Sequence, residues 1–134
     1  MTDWVRRLTD GDVALPPAWE LLGLRFAEVG EGAATVTMEI RPEFLNASGV
    51  VQGGLLSSLA DVAMGVAVAS AAESRAGATL EFKVNFCGNA SDGTLRATAR
   101  TLRVGNRFAH AEAEVWTSDG ELAAKATSTF SLRA

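Results

Sequence analysis

The fold of this chain is decided by one stretch, Asn46-Ala-Ser-Gly-Val-Val-Gln-Gly-Gly-Leu-Leu-Ser-Ser-Leu-Ala-Asp61-Val-Ala-Met-Gly65. It begins as a loop that turns on glycines and continues into the longest apolar run of the sequence, residues 53–72. Apolar side chains lie on every face of this run, which predicts a helix buried on nearly all sides. Its one charged side chain is Asp61. An ionised carboxylate is costly there unless it is paired, hydrogen-bonded or open to a wet cleft, so Asp61 requires an explanation.

The two chemical features of this helix lie too far apart to act on one carbonyl group. A helix that begins at Gly53 presents unpaired N–H groups and the positive end of its dipole, which suit an oxygen that becomes negative. Asp61 follows eight residues later, about 12 Å along the axis at about 1.5 Å per residue. If both serve one reaction, they come from two copies of the helix packed antiparallel. The spacing therefore predicts a dimer with shared active sites.

The stretch resembles the signature of PaaI-type acyl-CoA thioesterases of the hotdog fold through Asn46, Gln52-Gly53-Gly54, Ala60-Asp61 and Gly65. The family commonly has His where this chain has Gln52. The resemblance extends from about Gly23 to Phe130, with later Gly-x-Leu and Arg-x-Gly-x-Arg features. It implies an α+β hotdog fold, in which a curled six-stranded antiparallel sheet wraps a long central helix. It also implies hydrolysis of acyl-CoA or acyl-carrier thioesters to acid and thiol.

The resemblance implies catalytic roles for five residues. Asp61 would act as general base on water or as direct nucleophile, and the Gly53 N–H would bind the oxyanion. Asn46 matches a loop asparagine that hydrogen-bonds near the carbonyl or the attacking water, and Thr79 matches a Ser/Thr that holds the water against the carboxylate. Gln52 can orient a carbonyl through its amide but cannot transfer protons near neutral pH.

Each of these residues also has a purely structural interpretation. Asp61 could cap a polar group across a helix pair, and the glycines could serve a tight junction between loop and helix. Asparagines such as Asn46 often stabilise loops through local backbone bonds. A strand threonine such as Thr79 means little by itself.

A second set of residues is expected to bind the acyl group and its carbonyl. The acyl chain would lie between helix and sheet against Leu56, Leu59 and Trp19, while Gly54 leaves room for the carbonyl. Trp19 belongs to a short helix predicted over 17–22, and it could equally close one end of the core.

The turn that contains Arg103, Asn106 and Arg107 could meet the phosphates of coenzyme A, since arginine suits phosphate. An exposed basic turn without a ligand is the alternative. No metal or separate cofactor is expected, because coenzyme A is part of the substrate and one His with one Cys makes a zinc site improbable.

The remaining strands follow from period-two alternation and glycine turns. They are predicted within 23–32 and over 33–40, 79–88, 93–104, 107–117 and 121–132. Leu80, Phe82, Val84 and Phe86 are expected to face the core. Residues 1–22 would form a lead-in with the short helix, and residues 23–134 a single hotdog domain.

Composition excludes several classes of function. A net charge of −4 over 134 residues leaves no basic patch for nucleic acid. Residues 53–72 are long enough to span a bilayer, but Asp61 and the amphipathic strands that need a packing partner argue against a membrane span. The lone Cys87 is expected to be an inert core thiol, and the N-terminal stretch lacks the apolar segment of a secretory signal, so we expect a cytoplasmic protein.

Three functions remain open at this point. The first is thioester hydrolysis by a homodimer that could pair further into a dimer of dimers. The second is a hydratase or dehydratase on the same fold, which would need a histidine near Asp61, and the only histidine is His110. The third is a non-catalytic acyl-CoA-binding protein, which the glutamine at position 52 favours.

Overall fold

A computed structural model describes residues 2–134, apart from the side chain of Ser74. The helices and strands of this part of the chain are α1 (Asp3–Arg7), α2 (Pro17–Leu21), β1 (Arg25–Gly30), β2 (Ala33–Glu39), α3 (Gly53–Ala72), β3 (Ala76–Phe86), β4 (Thr94–Val104), β5 (Phe108–Trp116) and β6 (Leu122–Leu132). Short 3-10 turns follow α1, β2 and α3 at Leu8–Asp10, Pro42–Phe44 and Glu73–Arg75.

The strands form one six-stranded sheet in the order β1-β2-β4-β5-β6-β3, and every neighbouring pair is antiparallel. The chain leaves the sheet after β2, passes through α3, and returns as β3 at the far edge. The expected architecture, a long helix wrapped by a curled antiparallel sheet, is confirmed. Its two edges are β1 and β3.

Small residues on the inner face let the sheet curl closely around α3. Alanine occupies most buried positions of β4, β5 and β6, namely Ala97, Ala99, Ala109, Ala111, Ala113, Ala123, Ala124 and Ala126. Larger buried side chains come from β2 and from α3 itself, among them Met38, Leu59 and Met64. By length and composition α3 could also cross a membrane. Ten of its twenty side chains are buried within the chain, as in a core helix.

The edge strand β3 departs from the sequence-based expectation in two ways. It begins at Ala76, three residues earlier than predicted, and its register to β6 is irregular on both sides of Thr79. Leu80 falls in the second irregularity and is 55% exposed, although we expected it to face the core. Phe86, also expected inside, ends the strand and is 54% exposed. An edge strand has a neighbour on one side only, so its side chains are less covered.

Cys87 is exposed and not a core thiol, because it follows the last residue of β3.

The N-terminal segment packs more firmly than a lead-in requires. Val5 and Leu8 are buried in the same core as the sheet. Thr2 caps α1 by accepting a hydrogen bond from the Val5 amide.

Candidate active site

A hydrogen bond joins Asp61 on α3 to Thr79 on β3. The Thr79 hydroxyl donates to Asp61 Oδ1 at 2.8 Å. The two residues are brought together because β3 returns antiparallel beside the helix from which the chain has just emerged. Asp61 is half-buried, so its carboxylate keeps access to solvent. That access offsets the cost of placing a carboxyl group in an otherwise apolar helix.

The carboxylate opens into a cleft of about 200 Å³ lined by Ser57, Ser58, Asp61, Thr79 and Phe82. Both serines precede Asp61 by three or four residues and so lie on its helix face. The Ser58 hydroxyl is already used, since it donates to the Gly54 carbonyl at 2.9 Å. Sequence analysis missed Ser57, Ser58 and Phe82 as lining residues. The helical spacing from Asp61 was the available signal for the two serines.

The first turn of α3 offers free backbone donors. Gln52 fixes the start of the helix through its backbone, since its amide donates to the Phe44 carbonyl and its carbonyl accepts from the amides of Leu55 and Leu56. The amides of Gly53 and Gly54 come before the first bonded amide of the helix and remain available. The Gln52 side chain is exposed and does not cap the helix.

The ring of Phe86 lies directly against Gly53. A Cβ placed on Gly53 would be 3.2 Å from Phe86 Cζ, closer than side chains normally approach, whereas one on Gly54 would meet nothing within 4 Å. Gly53 does not have a positive φ, so its backbone alone does not require glycine. The absence of a side chain at position 53 is therefore explained by the ring.

Asn46 has a visible structural role. Its Oδ1 accepts from the Ser48 amide at 2.9 Å and from the Val50 amide at 3.3 Å, which closes the loop before α3. Its Nδ2 group donates to no other group among residues 2–134. Asn46 can thus hold the loop with its oxygen and still offer two donors to a ligand.

Within one chain, the candidate catalytic residues fall into two separate groups. Asp61 and Thr79 line the same cleft. The other three candidates do not line it, namely Asn46, Gln52 and Gly53. Because α3 runs without interruption from Gly53 to Ala72, Gly53 and Asp61 are about 12 Å apart along its axis.

The expected acyl-binding residues are not gathered at this cleft in one subunit. Leu56 and Leu59 are completely buried in the core. Trp19 stacks between Trp4 and Phe26, with ring centroids 5.8 and 5.4 Å away, on the side of β1. Their contact with an acyl group stays a prediction.

The basic turn between β4 and β5 is exposed and firmly held. Arg103, Asn106 and Arg107 all lie on the surface. Arg75 Nη2 donates to the Gly105 carbonyl at 3.2 Å and to the Asn106 carbonyl at 2.6 Å, which fixes the turn without using its side chains.

His110 lies on the face of the sheet that points away from α3. Its neighbours Ala109 and Ala111 are buried toward the helix, while its own Nδ1 is 3.2 Å from the Thr129 hydroxyl on β6. It cannot share a proton with Asp61 of the same subunit, which disfavours a hydratase mechanism. Within residues 2–134, no group of three His, Cys, Asp or Glu side chains could hold a metal ion.

Comparison with known proteins agrees with this fold and identifies the family of the chain. The sequence model of the Thioesterase superfamily matches residues 48–124, more than half of the chain. The chain belongs to the thioesterase superfamily. Within that superfamily it is a PaaI-type hotdog protein, as its solved relatives indicate.

The conserved protein PA5202 of Pseudomonas aeruginosa is 39% identical, with a TM-score of 0.83 over 88% of this chain and 94% of its own. A mutant of the phenylacetic acid degradation protein PaaI of Thermus thermophilus is 29% identical, with a TM-score of 0.80 over 89% and 100% of the two chains. The E. coli PaaI protein, at 24% identity, shares the fold with a TM-score of 0.87 over 97% of this chain and 94% of its own.

Proposed function

We propose that this protein hydrolyses acyl thioesters, with acyl-CoA as the first candidate substrate. The observation that carries the proposal is the Asp61 carboxylate, held by the Thr79 hydroxyl in an open cleft on an otherwise apolar helix. Membership of the thioesterase superfamily supports the same chemistry. A thioester needs only an oxygen nucleophile and a stabilised oxyanion, because a thiolate leaves readily.

The residues support a short reaction sequence. Asp61 removes a proton from water as the water oxygen attacks the thioester carbonyl, and the resulting oxyanion accepts a hydrogen bond from the Gly53 N–H. The tetrahedral intermediate then breaks its C–S bond, and the thiolate recovers the proton from Asp61. Alternatively, Asp61 itself attacks the carbonyl carbon and the thiolate leaves as a mixed anhydride forms. Water then hydrolyses the anhydride, which releases the acid and restores the Asp61 carboxylate. Thr79 holds the carboxylate, and Asn46 with Gln52 orients the carbonyl or the water.

We expect the complete site to lie between two subunits. The outer edge of β3 has no neighbour, and Leu80 and Phe86 on that strand are more than half exposed. Gly53 lies beside Phe86 near one end of β3, while Asp61 bonds Thr79 near the other end. When two β3 edges pair antiparallel about a two-fold axis, the Gly53 end of one subunit meets the Asp61 end of its partner.

The surface of α3 fits the same arrangement. Seven of its positions that are not buried form one stripe of mostly small residues, Gly54, Ser57, Ser58, Asp61, Val62, Gly65 and Ala69. Their spacing places them on one helix face, and small side chains permit the close approach of a second helix. In this dimer the exposed turn with Arg103, Asn106 and Arg107 remains free to meet the phosphates of coenzyme A.

The test is release of free thiol from short-chain, medium-chain and aryl acyl-CoAs by the wild type, Asp61→Asn and Thr79→Val. Asp61→Asn keeps an oxygen that can accept the Thr79 hydrogen bond, so the fold should persist while kcat falls at least about 10²-fold. Thr79→Val keeps the shape of the side chain and removes the donor, and we expect a loss of about tenfold.

Binding of an acyl-CoA without thiol release by the wild type would contradict hydrolysis and favour the non-catalytic protein. Single-turnover hydrolysis in ¹⁸O-labelled water separates the two roles of Asp61. Label in the Asp61 carboxylate indicates direct attack, because water then hydrolysed an anhydride at the aspartyl carbonyl. Label confined to the product acid is expected from a general base and also from water attacking an anhydride at the acyl carbon, and trapping of an anhydride on Asp61 separates these two cases.

A further inference from the structure

Phe86 is a conspicuous side chain because it is large, apolar, more than half exposed and placed where a side chain on Gly53, the proposed oxyanion donor, would point. Its ring tip and both adjacent ring carbons lie within 3.6 Å of the position that a Cβ on Gly53 would occupy. The ring has no role in the buried core. An exposed phenyl ring beside a helix N-terminus limits the directions from which a ligand can reach the backbone N–H groups there.

We infer that Phe86 is a positioning residue of the oxyanion site, where its ring and Gly53 form a matched pair that sets the slot for the thioester carbonyl. This inference rests on the proposed function. The ring covers one side of Gly53, so a carbonyl can approach the free N–H only from the side that Phe86 leaves open. The same ring keeps water from part of the helix N-terminus, which strengthens the hydrogen bond to a developing oxyanion.

The dimer proposed above places this ring in the reacting site. Phe86 and Gly53 touch in the same subunit, so both arrive together at the partner's Asp61. The partner contributes Phe82, which lines the cleft of Asp61. One phenyl ring would then stand on the oxyanion side of the carbonyl and the other on the carboxylate side.

A double-mutant cycle tests the pair. Phe86→Ala opens the slot, and we expect kcat to fall about tenfold or more with a smaller change in KM, since misplacement of the reacting group costs rate. Gly53→Ala in the wild type pushes a methyl group against the ring. In the Phe86→Ala background that methyl group meets no ring, so the double variant should lose less than the product of the two single losses.

Two further variants complete the experiment. Phe86→Leu keeps an apolar side chain of similar reach and should recover most of kcat. His110→Ala removes an exposed aromatic ring from the face of the sheet that points away from α3, and should leave kcat unchanged. Melting temperatures of all variants separate loss of activity from loss of fold.

The outcomes distinguish this inference from the proposed function. If Asp61→Asn abolishes turnover but Phe86→Ala keeps the wild-type kcat, hydrolysis stands and the positioning role is wrong. Independent, multiplicative losses at the two positions would also overturn the matched pair. If the wild type releases no thiol from any acyl-CoA, both the function and the inference fail.

Discussion

Mixing two inactive variants should restore activity if, as we propose, the two halves of the site come from different subunits. The first variant is Asp61→Asn, which lacks the carboxylate. The second is Gly53→Val, whose Cβ would lie 3.2 Å from Phe86 Cζ and whose two methyl groups would fill the slot at the helix N-terminus. Each variant alone has a defect in both sites of its dimer, so each should show little turnover.

The size of the recovery follows from counting sites. In a mixed dimer, Gly53 of the Asp61→Asn subunit faces Asp61 of the Gly53→Val subunit, and this one site is intact. The other site carries both defects. Random exchange makes half of the dimers mixed, so about one quarter of the wild-type sites return in a two-fold symmetric assembly.

The assay needs two differently tagged variants that are co-expressed or refolded together. Tandem affinity purification isolates the mixed dimer, which should show about half the wild-type kcat per dimer because one of its two sites is intact. The basis is the separation of about 12 Å between Gly53 and Asp61 along α3, which no single carbonyl can bridge within one chain. A purified mixed dimer with no more activity than its parents would refute the shared site.

Two other predictions concern stability. Leu59→Ala should lower the free energy of unfolding by about 2–5 kcal/mol, because the side chain is completely buried. Urea denaturation measures this loss. A small loss of stability together with an altered acyl-chain preference would instead place Leu59 in the acyl pocket. Hydrogen bonds from Lys125, and to a smaller extent from Arg100, lower the pKa of Glu112. The contribution of Glu112 to the free energy of unfolding is therefore present above the unfolded pKa of about 4.3. It is lost as pH falls through the lower folded pKa. Glu112→Gln should therefore cost up to about 1 kcal/mol at pH 7 and progressively less as the pH is lowered below about 4.3, and a cost that does not change with pH would contradict the ion pairs.

The helix and the strands could be predicted from sequence because their signals are local. Leucines, valines and alanines dominate the apolar run over 53–72, and no residue in its interior breaks the helix. The observed bounds of α3 are the predicted ones. The strands were predicted from alternation and from glycine turns, and the ends of β2 to β6 lie within three residues of the prediction. Glycine at position 93 or 120, each with positive φ, marks such a turn clearly.

The features that sequence analysis missed depend on contacts between distant parts of the chain. Alternation along β3 places Leu80 inside, but a bulge against β6 alters the register there. Nothing local shows that β3 is an edge strand, and that position is why Phe86 and Cys87 are exposed. The contact between Phe86 and Gly53 joins residues separated by a whole helix and strand, so only the folded chain reveals it.

The glutamine at position 52 is compatible with hydrolysis because the backbone of that residue does the structural work. Its amide and carbonyl fix the start of α3 whichever side chain it carries, and its exposed side chain makes no cap. A histidine there would add a titratable group beside the oxyanion donor, but neither step of the proposed reaction needs one. Attack uses Asp61, and the departing thiolate needs little help from an acid. The residues that the chemistry requires, a held carboxylate and a free N–H at a helix start, are both present without it.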